Sequence, residues 1–302
     1  SITVPGTATN TGRIKIVCTG GTNIFFDINN IDIAIISSCG PVGGTIANNT
    51  SVSADEGDPS LDLDLLAGIP VNSVSGVLDA SDDNANLTVE NNGSGTCIFF
   101  GNSPKYETIE LATGTTANVT FTRTNQPDYT SMINLFQTSF NPSSVCDNWL
   151  NSNGNFNGTF VNLSSDFTES LVAGTKYVLL TSGFSNDSPD PGNYNINFNG
   201  ATLYDIGALN IAGYLYTYVV VNNSTNNIIA FSDDSDLTNH VIFPAGNYTV
   251  YGLSYLAGSP TSSYIGSLFT SLQTDIGNST FCGALSSNNV AVNINPYAST
   301  LY

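Results

Sequence analysis

The chain has 302 residues, 40% of them hydrophobic and only 10% charged, and its 24 acidic against 5 basic residues give a net charge of −19. The apolar content is too high for a disordered chain, no apolar run approaches the ~18 residues of a membrane helix, and the scattered Arg13, Lys15, Lys105, Arg123 and Lys176 make no stripe for nucleic acid or an anionic membrane surface. The polarity lies in Asn, Ser, Thr and Gly, which disfavour helix and favour strands and turns, so an all-β chain with almost no helix is expected.

The elements follow in chain order. "SITVPGTATNTG" (1–12) is a short alternation, Ile2 and Val4, on a small polar linker; it suits a donor strand that adds to a sheet edge of its own domain or of a neighbouring copy. "RIKIVC" and "FFDINNIDIAII" supply the next strands. "LDLDLL" places Leu61, Leu63 and Leu65 inward, and "SVSGVLDASDDNANLTVENN" reads as a hairpin around an acidic turn. "GTCIFFG" closes a first unit at residue 104. A second unit, 105–203, contains "ANVTFTRT" and "SMINLFQTSF", then "VAGTKYVLLTSGF" and "GNYNINFNG" as its last pair. In the latter, Tyr194, Ile196 and Phe198 alternate with Asn193, Asn195, Asn197 and Asn199, the pattern of a strand with one core face and one wet face. The third unit, 204–302, holds "YLYTYVVVNN", "NIIAFSDDSD", "HVIFPAGNYTVYGLSYL", one short helix at "SLFTSLQTD", and "NNVAVNINP". Recurrent short strands with turn signals predict tandem β-sandwich domains, Ig-like or jelly-roll-like.

Five cysteines stand at 18, 39, 97, 146 and 282 without a CxxC pair, which disfavours zinc and redox motifs. At least one disulfide is expected, with Cys39 and Cys97 as the candidates because they flank strand ends; the connectivity is open. The chain begins at Ser1 without a signal-type apolar segment, as a mature chain does. Twelve N-x-[ST] sequons occur, and in so Asn-rich a chain many arise by chance; Asn49, Asn118, Asn162 and Asn247 are taken as glycosylation candidates.

The second unit resembles the pre-peptidase C-terminal-like β-sandwich of many secreted Bacteroidota proteins, in "VTFTRT", "INLFQTSFNPSSVCDNWL", "LVAGTKYVLLTSGF" and "GNYNINFNG", in that order. The third is similar to another surface module of the same bacteria in "YTYVVVNNSTNNIIAF", "AGNYTVYGLSY" and "FCGALSSNNVAV", and the first echoes it in "CGPVGGTI" and "GSGTCIFFG". The resemblance implies a modular cell-surface or extracellular protein, adhesive or structural, with no catalytic residue.

The residues give chemistry little to work with. His240 is the one histidine, and no G-x-S-x-G elbow accompanies it. Ca²⁺ is the one cofactor expected, at the acidic turn of Asp79, Asp82 and Asp83, with Asn84 beside them. "SDDSD" (Asp233, Asp234, Asp236) is a second acidic turn that could bind Ca²⁺, and "ADEGDPS" (Asp55, Glu56, Asp58) is a poorer version of the same turn. Trp149, the only tryptophan, is expected in packing. The expectation is therefore a non-enzymatic extracellular protein, a subunit of a surface filament or a modular adhesin. Its partners are copies of itself, by head-to-tail strand addition, or surface glycans; neither nucleic acid nor membrane insertion is expected. The alternative is a carbohydrate-binding or accessory module of a secreted hydrolase.

Overall fold

A computed structural model of the protein describes residues 9–12, 15–17, 26–28, 33–35, 39–47, 51–56, 65–86, 88–91, 94–99, 103–124, 132–156, 161–183, 192–233 and 243–296. Short strands come first: β1 (Thr9–Gly12), β2 (Lys15–Val17), β3 (Phe26–Ile28) and β4 (Ile33–Ile35). They form two antiparallel pairs, β1 with β4 and β2 with β3. Next are β5 (Thr45–Ile46), β6 (Val52–Asp55), β7 (Ala67–Val71), β8 (Ser73–Leu78), β9 (Asp83–Asn84), β10 (Thr88–Asn91) and β11 (Cys97–Phe99). The middle of the chain gives β12 (Lys105–Thr113), β13 (Ala117–Arg123), β14 (Met132–Gln137), β15 (Trp149–Ser152), β16 (Gly154–Phe156) and β17 (Val161–Leu163). It continues through β18 (Asp166–Leu171), β19 (Lys176–Ser182), β20 (Gly192–Asn199) and β21 (Leu203–Asp205). Last come β22 (Tyr214–Asn222), β23 (Asn227–Ser232), β24 (Gly246–Leu256), α1 (Phe269–Gly277) and β25 (Gly283–Asn295). The chain is all-β, and α1 falls where the short helix was expected.

Two sheets form a sandwich. One is eight-stranded, ordered β15-β14-β19-β12-β21-β7-β5 with β9 also on β12; the other is four-stranded, β18-β13-β20-β8. Val119, Phe121, Phe167, Leu171, Tyr194, Ile196 and Phe198 from the smaller sheet meet Leu111, Ile133, Leu135, Tyr177 and Leu179 from the larger. Phe121 stacks on Phe167 at 5.1 Å and meets Phe198 edge-on at 5.5 Å. β20 alternates as its sequence predicts. β14 and β19 do not, because the far face of the eight-stranded sheet is also covered: Phe136, Val178 and Leu180 pack under Tyr106, Phe140 and Trp149. Burial on both faces is what "INLF" and "YVLL" record.

The strand pairing crosses both expected unit boundaries. β7 and β8, from the stretch assigned to the first unit, complete the two sheets of the sandwich, β7 on β21 and β8 on β20. β6 instead extends the C-terminal sheet as a parallel neighbour of β25. β21 straddles the boundary between 203 and 204 and pairs along its whole length with β12. Two expected hairpins are absent as well. β8 and β10 enter different sheets, and β19 and β20 lie in opposite layers of the sandwich. Leu78 at the end of β8 is fully buried in the sandwich core, which anchors that strand to β20.

Toward the C-terminus, the described strands form a five-stranded sheet, β23-β22-β24-β25-β6. α1 lays Phe269 and Leu272 against Val219, Val221, Leu253 and Tyr255 on one face. On the other, Ile46, Leu65 and Phe243 cover Tyr218, Val220, Tyr248, Val250 and Val292. "YTYVVV" is apolar on both faces because both faces are covered.

Residues 39–47 strap the eight-stranded sheet, which they join through β5, to this sheet. Cys39 is bonded to Cys282, 243 positions away, with Cα atoms 5.4 Å apart. Gly43 lies so close to β25 that a Cβ there would stand 1.9 Å from the Leu285 carbonyl oxygen. The Tyr216 hydroxyl donates to the Gly43 carbonyl at 2.9 Å, and burial holds its pKa far above the ordinary tyrosine range. The Asn288 side chain then takes the place of a neighbouring strand. Its Oδ1 accepts from the Ile46 N–H at 2.8 Å and its Nδ2 donates to the Ile46 carbonyl at 2.8 Å. A second bridge joins Cys97 to Cys146, 49 positions apart.

Candidate functional site

The pleat that buries Phe121, Phe167, Ile196 and Phe198 sends the intervening residues to the outer face of the four-stranded sheet. The register aligns them in cross-strand rows: Thr168, Thr120 and Asn199; Asp166, Thr122, Asn197 and Ser73; Asn195 and Ser75; Asn193 and Val77. Each of these residues is exposed or half-buried. Thr120 and Thr168 share a hydroxyl–hydroxyl bond of 2.8 Å. The face carries one carboxylate, Asp166, at its rim, on a chain of net charge −19. Apart from Asp166, the face is uncharged, and its hydroxyls and amides can donate and accept hydrogen bonds. A smaller patch of the same chemistry lies on the C-terminal sheet. There Asn247 sits opposite Asn293 and Thr249 opposite Ala291, and the Thr249 hydroxyl bonds the Asn223 Oδ1 at 2.8 Å.

The acidic turn is closed on itself. Asp79 Oδ1 accepts from the Ser81 hydroxyl at 2.6 Å and the Ser81 N–H at 2.7 Å, while Asp82 Oδ2 accepts from the Asp79 N–H at 2.7 Å. The Lys105 ammonium donates to the Asp82 carbonyl. The Ser81 hydroxyl, chiefly, holds the Asp79 carboxyl below its usual value. Asp83 and Asn84 lie in β9, away from this ring of bonds. Among the described residues, no three His, Cys, Asp or Glu side chains converge as a metal-ligand set. Asp55 accepts from Asn295 Nδ2 at 3.3 Å. Asp58, Asp234, Asp236 and His240 lie outside the described residues.

Of the other predicted positions, Cys39 and Cys97 are both in disulfides, but in separate ones, with Cys282 and Cys146. Ile2, Val4, Cys18 and Asn49 lie outside the described residues; Thr9–Gly12, the end of the expected donor segment, pairs with β4 of its own chain. Asn118 and Asn247 are exposed on β13 and β24, and Asn162 lies in β17. Trp149 is half-buried, with Nε1 donating to Asn134 Oδ1 at 3.2 Å; it packs, as expected. The Asn288 clamp and the Gly43 contact escaped the sequence reading. Two adjacent glycines close behind a cysteine, in "CGPVGG", were the available signal.

No family model matches the chain, and neither does any curated protein. Among solved structures, it matches the crystal structure of Aeromonas hydrophila PliG, a periplasmic lysozyme inhibitor of g-type lysozyme. The identity is 10% over 52% of this chain and 99% of that chain, with a TM-score of 0.25. A score that low assigns neither fold nor function. No helix among the described residues is long and apolar enough to cross a membrane.

Proposed function

We propose that this is an extracellular structural or adhesive protein, a subunit of a surface filament or modular adhesin that works by contact and not by turnover. The observation that carries the reading is the neutral Thr/Asn/Ser face of the four-stranded sheet. Copies of a strongly acidic chain repel one another; where carboxylates are sparse and hydroxyls and amides stand in rows, that repulsion is least and cross-surface hydrogen bonds are available. The two disulfides support the compartment, since such bonds persist in oxidising surroundings. The partners in this reading are copies of the chain or neutral glycans. The test is the pair Thr168→Glu and Asn199→Glu, two exposed positions flanking Thr120. Self-association or glycan retention should fall at least tenfold with the melting temperature little changed. Retention equal to that of the parent would overturn the reading.

A further inference from the structure

Asparagine followed by glycine is the sequence most open to ring closure. Glycine has no Cβ to shield its nitrogen, and that nitrogen and the preceding side-chain amide are already held in one molecule. The chain has four such steps, beginning at Asn92, Asn153, Asn157 and Asn199; Asn92 and Asn157 lie outside the described residues. The other two are held in opposite ways. Asn153 is 2% exposed. Its Oδ1 accepts from the Ile133 N–H at 2.9 Å and its Nδ2 donates to the Ser164 carbonyl at 3.1 Å, while the Gly154 N–H donates to the Ser152 hydroxyl oxygen at 3.3 Å. Both the amide and the nitrogen that could attack it are therefore engaged.

Asn199 is the last residue of β20, exposed on the outer face beside Thr120, whose hydroxyl is taken by Thr168. Among the described residues, no hydrogen bond holds the Asn199 amide or the Gly200 N–H. The Phe198 N–H still donates to the Asn72 carbonyl at 2.8 Å, but the pairing of β20 with β8 ends at Asn197 and Ser73, so Gly200 lies beyond it. There it borders a cleft of about 620 Å³, lined also by Pro70, Asn72, Asn199 and Thr202, which water can enter. Gly200 cannot be exchanged for a bulkier residue: its φ is +118°, and a Cβ would stand 2.1 Å from the Asn118 carbonyl oxygen. The fold thus imposes the reactive step at the end of the contact face.

We propose that Asn199 is a site of spontaneous covalent modification, converted to aspartate and isoaspartate through a cyclic imide with Gly200, and that this conversion weakens the contact face. The second half rests on the adhesive reading above. Solvent base removes the Gly200 N–H proton, and the nitrogen attacks Asn199 Cγ. The new N–Cγ bond forms, the Cγ–Nδ2 bond breaks, and ammonia leaves with a proton from water. Water then opens the imide. Cleavage at Cγ leaves aspartate at position 199, and cleavage at the main-chain carbonyl leaves isoaspartate. No oxidant or reductant is needed. Either product puts a carboxylate at the end of the row Thr168, Thr120 and Asn199, on a face that carries Asp166 alone, and so raises the repulsion between copies of an already acidic chain.

The folded full chain is aged at mildly alkaline pH and mapped by peptide mass spectrometry. Asn199 should convert at least tenfold faster than Asn153, and faster still as pH rises. In denaturant the two should convert at similar rates, because the fold alone separates them. Asn199→Gln, which would have to close a larger ring, should stay intact at least tenfold longer. Conversion of Asn199 no faster than that of Asn153 in the folded chain, or an Asn199 that stays intact while the denatured chain converts, would overturn the inference. Self-association of the aged parent should fall to that of Asn199→Asp, while aged Asn199→Gln keeps its own. Full conversion with unchanged self-association would uphold the modification site and overturn its effect on contact. A parent that never self-associates and retains no glycan would overturn the adhesive reading, while the mass map still decides the site.

Discussion

Removing the Cys39–Cys282 bridge, as Cys39→Ser with Cys282→Ser, tests the strap most sharply. The bridge closes a loop of 243 positions, of which the Cys97–Cys146 bridge already short-circuits 49. For an effective loop of about 194 residues, the lost constraint on the unfolded chain amounts to about 5 kcal/mol. An unfolding entropy of about 2.1 cal/mol/K per residue over 302 residues converts this into a fall in melting temperature of about 8 °C. The strap's other ties, the Asn288 clamp and the Tyr216 bond, stay in place, so the variant should still fold. Calorimetry of parent and variant under non-reducing conditions reads the shift, with mass mapping of the parent to verify the pairing. A fall of less than about 2 °C, or a map that joins Cys39 to another cysteine, would refute the reasoning.

Gly43→Ala should cost more than an ordinary surface change, because its Cβ would stand 1.9 Å from the Leu285 carbonyl oxygen; about 2–4 kcal/mol is expected by chemical denaturation. Asn288→Ala leaves the Ile46 N–H and carbonyl unpaired and should cost about 1–3 kcal/mol. Burial raises the pKa of Asp205; the folded chain therefore holds that proton more tightly than the unfolded one, and this contribution to stability is lost as pH rises from about 3.9 through the folded value. Asp205→Asn, which keeps an acceptor for the Ala208 N–H, should flatten melting temperature against pH across that window; a curve parallel to the parent's would contradict the assignment. Ca²⁺ at the acidic turn would compete with Ser81 for Asp79 Oδ1. A melting temperature raised at millimolar Ca²⁺ and restored by Asp79→Asn would mark that site, and an unchanged melt would remove it.

What was legible in the sequence was local. Alternation placed β13 and β20 and named their buried aromatics, and "SLFTSLQTD" gave up its helix. Pairing partners were not legible, because a period of two fixes which face a residue takes but not which strand lies beside it. "SVSGVL" was therefore given to a hairpin with "NLTVENN", although its Leu78 is buried against strands more than 30 residues onward. The strap was hidden for a related reason. "CGPVGGTI" has the composition of a loop, and it becomes an element only through a side chain, Asn288, that stands in for a strand 242 positions away. The neutral face was visible as asparagine on one strand; its extent became visible only when the register set Thr120, Thr122, Thr168, Ser73 and Ser75 beside it.

The central claim is that this protein works by building contacts. Negative-stain imaging of the purified full chain across rising concentration addresses it directly, with parallel assays against peptide, ester and glycoside substrates. Ordered filaments or sheets, and background turnover, are predicted. Isolated particles at every concentration, together with a turnover abolished by changing His240 or a single Asp, would contradict it.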